Sequence, residues 1–91
     1  MDTKLILLSL SLDLKRITTA IQRDSSVVDT FNVEANKWLK QAKNLNNSKL
    51  KILLAKIEKT LDEPNDLIKA EDCLMYSFLI QNQALYKTNK Q

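Results

Sequence analysis

The chain of 91 residues has no glycine, no histidine, one proline and one cysteine. Each shortage closes a route. Hairpins and sheet turns draw on glycine for positive φ, so its absence biases the chain towards helices joined by short turns. The same absence removes the phosphate-binding loop, the dinucleotide fingerprint and the nucleophile elbow, which need glycine where backbone turns sharply or approaches phosphate. Without histidine the commonest general base and zinc ligand is missing. The lone Cys73 admits no disulfide within the chain and suits a reducing interior better than a secreted, stapled domain. Set between apolar neighbours, it reads as packing and not as a nucleophile.

Long hydrophobic runs are lacking as well. The segment "KLILLSLSLDLKR" is broken by Ser9 and Ser11, follows Asp2 where a signal peptide carries positive charge, and precedes no small-residue cleavage site. It falls well short of the roughly 20 apolar residues of a membrane span. A cytoplasmic protein without membrane association is the expectation.

What is present favours helix. Lys, Leu, Glu, Gln and Ala are plentiful, and asparagine can stand in for glycine at a left-handed helix end. Val28, Phe31, Ala35, Trp38, Ala42 and Leu45 recur at steps of three and four, widened by Val27 and Leu39, after a start that offers Asp24, Ser25 or Ser26 as cap. "NNSKL" ends that helix and caps the next, where Leu50, Leu53, Leu54, Ile57 and Leu61 form one narrow stripe. Pro64 stops it and suits the first turn of a new helix. From Leu8 to Leu14 apolar and polar residues alternate as in a strand, but no second strand exists to pair with it. Ile6, Leu10, Leu14, Ile17 and Ile21 also step by helical intervals. The prediction is a single all-α domain over residues 1–91, an up-down bundle of four helices near 3–22, 26–45, 48–61 and 65–87, with a frayed tail at 88–91.

The outer two helices carry too much apolar surface for one stripe each. In the fourth, Leu67, Leu74, Phe78 and Leu85 lie along one line, flanked by Ile68, Met75, Leu79 and Tyr86, and read as the core face. Opposite them run Cys73, Tyr76, Ile80 and Ala84. In the first, Leu5, Leu8 and Leu12 share a face away from its core stripe. Either the fourth helix is central and wrapped by the others, or the extra stripes form an interface. The interface reading makes Leu5, Leu8, Leu12, Cys73, Tyr76, Ile80 and Ala84 the contact residues of a homodimer, or of a complex with another helical protein.

Charge is arranged in blocks. Lys37, Lys40, Lys43, Lys49, Lys51, Lys56 and Lys59 are opposed only by Glu58, and Asp62, Glu63, Asp66, Glu71 and Asp72 follow. The lysines are candidate anion contacts, which makes weak nucleic-acid binding the alternative function. Arginine, better suited to bidentate recognition, is absent from that run. The acids resemble the normal charge bias of a helix start more than a magnesium or acid–base pair. The expected protein is a small interaction module, not an enzyme, with no cofactor and no metal.

Overall fold

Asparagine and aspartate punctuate this chain where glycine would otherwise serve. A computed structural model describes the backbone of residues 2–89 and the side chains of residues 2–86. Asp2 accepts the Lys4 N–H at 3.2 Å and caps α1, Thr3–Arg23. Asp24 accepts both the N–H and the hydroxyl of Ser26, at 3.2 and 2.6 Å, and opens a 3₁₀ turn, Ser25–Val27, that feeds α2, Val28–Lys43. The two bonds from Ser26 hold the Asp24 carboxyl below its ordinary value. Asn46, at φ 56°, takes the left-handed turn out of α2. Asn47 then accepts the Lys49 N–H at 2.9 Å and caps α3, Ser48–Leu61.

Asn65 accepts the Ile68 N–H at 3.1 Å and caps α4, Asp66–Asn89. Pro64 therefore stands one residue before the cap instead of inside the first turn. Of the tail expected to fray at 88–91, α4 takes in the backbone as far as Asn89, and the last two residues lie outside the described ones. Among the described residues there is no strand.

The helices form a ring in which α1 packs most broadly on α4 and next on α2, while α3 leans on α2 and α4. All-α, up-down packing follows from the register of α1 against α4. Ser11 Oγ donates to the Ser77 carbonyl and Thr18 Oγ1 to the Ala70 carbonyl, both at 2.7 Å. As one partner advances along α1 the other retreats along α4 by the same number of residues, so the helices are antiparallel. Each such bond contributes about 1 kcal/mol. The Lys69 ammonium, almost buried, donates to the Leu61 carbonyl at 2.9 Å. It places a cation at the C-terminal end of α3, where the helix dipole favours one.

The core is built from Ile6, Leu7, Leu10, Leu14 and Ile17 of α1, Ala35, Leu39 and Ala42 of α2, Leu50, Leu54, Ile57 and Leu61 of α3, and Cys73, Ile80 and Ala84 of α4. Val28, Phe31, Trp38, Leu45 and Leu53 pack at its edge. The alternation at residues 8–14 misleads about burial as well as about strand. Ser11 and Asp13 are buried there, whereas Leu12 is exposed.

Candidate functional site

The stripe of α4 that enters the core is Ala70, Cys73, Ser77, Ile80 and Ala84, stepping three, four, three, four. Four of the five are small. Small side chains let the α1 and α4 backbones come close enough for hydroxyls of α1 to reach carbonyls of α4. The larger apolar residues are left on the other side.

This reverses the assignment made from the sequence. Cys73 and Ile80 are 0% exposed and Ala84 is buried beside them, so they cannot present themselves to a second molecule. Tyr76 and Leu8 are half-buried and pack against the core. Leu5 and Leu12 do face outward, but Leu12 lines a shallow groove with Val27 and Phe31, between α1 and the start of α2. The structure thus does not assemble the predicted contact residues into one patch. The residues taken for the core face of α4 are the exposed ones. Leu67 is 71% exposed and Phe78 51%, and Ile68, Leu74, Met75, Leu79, Leu85 and Tyr86 are all exposed with them.

At about 100° per residue these eight make two adjacent rows on α4, Leu67, Leu74, Phe78 and Leu85 beside Ile68, Met75, Leu79 and Tyr86. Between the rows stand Glu71 and Asn82, both exposed. The edge nearest α1 is held in place. Lys15 donates to Gln81 Oε1 at 2.8 Å and its ammonium sits 5.1 Å from the centre of the Phe78 ring. A shallow groove lined by Ile21, Gln22, Leu67 and Leu74 borders the same edge. Eight large apolar side chains on one helix face exceed the scattered exposure that a monomer's surface normally shows.

No family model, curated protein or solved structure matches this chain. Its surface has to be read from its own chemistry. Among the described residues no group of three or more acids and cysteines is placed to hold a metal ion. Asp62, Asp66 and Glu71 are exposed and Asp72 is half-buried. Burial pushes the Cys73 thiol up to about 12, the nearby Lys69 charge only partly offsetting it, so thiolate is scarce at neutral pH. The seven candidate anion-contact lysines are all exposed, and Lys37, Lys40 and Lys43 border one α2–α3 groove. Lys43 is engaged there by Glu58 at 2.6 Å. Trp38, which could have stacked on a base, packs against the core.

Asp13 is a buried acid that no pattern in the sequence marks as one. Asp13 has an oxygen that accepts from Arg16 at 3.2 Å and a second oxygen with no hydrogen-bond partner among the described residues. Burial raises its proton affinity most; the Arg16 hydrogen bond opposes this and the charge of Glu34 adds to it. Because the folded state holds this proton more tightly, stability falls as pH rises from the ordinary carboxyl value of 3.8 through the raised one. Asp13→Asn keeps the Arg16 contact and removes the ionised form. Its stability should therefore not fall over the pH range in which the wild type loses stability. Urea titrations at acid and neutral pH check this, and an unchanged pH slope in the variant would contradict it.

Proposed function

We propose that the chain is a small non-enzymatic interaction module that binds another protein through the outer face of α4. The observation that supports this is the sorting of α4 itself. Its small residues are spent on the contact with α1, and its largest apolar residues remain at the surface. An apolar face of that size left in water is the kind of surface that another molecule covers. Such a face suits helix-in-groove or helix-on-helix docking, in which side chains three and four apart act as anchors. Among the described residues no helix is long and apolar enough to cross a membrane. A protein partner in a reducing, cytoplasmic setting is the consistent reading, given one cysteine and that one buried.

A photo-crosslinking amino acid in place of Phe78, in cells expressing the full chain, tests the reading. Discrete protein adducts, of either a second copy or another protein, should form from position 78. They should vanish when Leu74→Glu is added, and none should form from position 56 on the lysine-rich side. Equal labelling from both positions, or none from 78, would remove the proposal.

A further inference from the structure

We infer that the cover on α4 is the α4 of a second copy, docked antiparallel about a two-fold axis that passes between residues 76 and 77. This rests on the interaction reading above and names its partner. The first reason is the pattern of the face. Each row steps seven, four, seven, and is the same read from either end. A two-fold antiparallel pair requires that property, because the surface must match its own reversal. With the axis between 76 and 77 each row keeps to its own side, so that Leu67 meets Leu85 of the second copy and Leu74 meets Phe78, while Ile68 meets Tyr86 and Met75 meets Leu79. Every apolar residue of the face meets another.

The polar residues obey the same symmetry. Glu71 of one copy falls opposite Asn82 of the other, where the amide N–H₂ can donate to the carboxylate. Parallel docking would instead set Glu71 against Glu71, a like-charge contact that selects against that orientation. A polar pair inside an apolar helix interface is a known device for fixing register. The third reason is size. Eight side chains of about 200 Å² each, roughly half exposed, offer on the order of 800 Å², which is what one partner contributes to a standard stable interface.

Sedimentation equilibrium of the purified full chain at micromolar concentration should give twice the chain mass. Leu74→Glu should raise the dissociation constant on the order of a hundredfold, since the charge enters the interface twice, while circular dichroism shows the same helix content. Register is read by mild oxidation of cysteine variants. Ile68→Cys with Tyr86→Cys should give a covalent dimer, because the two positions are about 27 Å apart on one helix and cannot bridge within a chain. Ile68→Cys alone should give none. A monomer at every concentration, a dimer indifferent to Leu74→Glu, or cross-linking by Ile68→Cys alone would overturn the inference. If the purified chain is a monomer yet position 78 still captures a different protein in cells, the two-fold pairing fails and the interaction reading survives; if neither forms, both fail.

Discussion

Ile80→Lys should unfold the protein, whereas Leu79→Lys, one residue away, should leave it folded. Ile80 is fully buried in the stripe of α4 that meets the core cluster. A lysine there loses the apolar contacts and drives an ammonium into a cluster of apolar side chains. Together these effects cost about 5 kcal/mol or more, near the whole stability of a typical small domain. Leu79 is exposed, and lysine has nearly the same helix propensity as leucine, so the change should stay within about 0.5 kcal/mol in the single chain. Thermal melts followed by circular dichroism, with Trp38 fluorescence as a tertiary probe, separate the two. Should Ile80→Lys fold while Leu79→Lys does not, α4 is turned the other way and the surface proposed here is core.

Ser77→Leu should destabilise the fold by about 3 kcal/mol, although it makes a buried position more hydrophobic. Ser77 is completely buried where α4 crosses α1, and its carbonyl accepts from Ser11 Oγ at 2.7 Å. Leucine would need room that exists only if the two helices separate. Separation would also stretch the Thr18 bond to the Ala70 carbonyl, and with it the register of the pair. Ser77→Ala is the control. It deletes only the hydroxyl that bonds the Leu74 carbonyl at 2.6 Å, and should cost about 1 kcal/mol. Urea midpoints of the three proteins give the comparison. If Ser77→Leu stabilised the protein, the close-packed seam would be disproved, because added apolar volume would then have found space.

The difference between α3 and α4 shows where sequence reading reaches its end. In α3 one narrow stripe was expected to enter the core, and Leu50, Leu54, Ile57 and Leu61 do, with Leu53 beside them. Polar residues occupy most of its other positions, so no second orientation competes. In α4 apolar residues surround most of the helix, and ranking faces by size favoured Leu67, Leu74, Phe78 and Leu85. The core took the smaller set. A signal was available in the spacing of Ala70, Cys73, Ser77, Ile80 and Ala84, together with Ser11 and Thr18 of α1, which repeat at seven residues. It marks close helix approach. It carries little hydropathy, so a search for greasy stripes passes over it. Asp13 was hidden for a related reason, since a charged residue between leucines suggests an outward face, while here it is buried and Arg16, one turn on in the same helix, meets one of its oxygens.

The amino-acid sequence by itself determined the four helices and where they stop. Those features depend on neighbours within a turn or two: Asp2, Asp24, Asn47 and Asn65 reaching nearby N–H groups, Asn46 tolerating a left-handed φ, and proline lacking an N–H. Only the tertiary structure decided which side of α4 faces inward. Both sides are apolar enough to be buried, so transfer from water could not choose between them. Distance chose: only the small-residue side lets α1 come near enough for its hydroxyls to bond the α4 backbone.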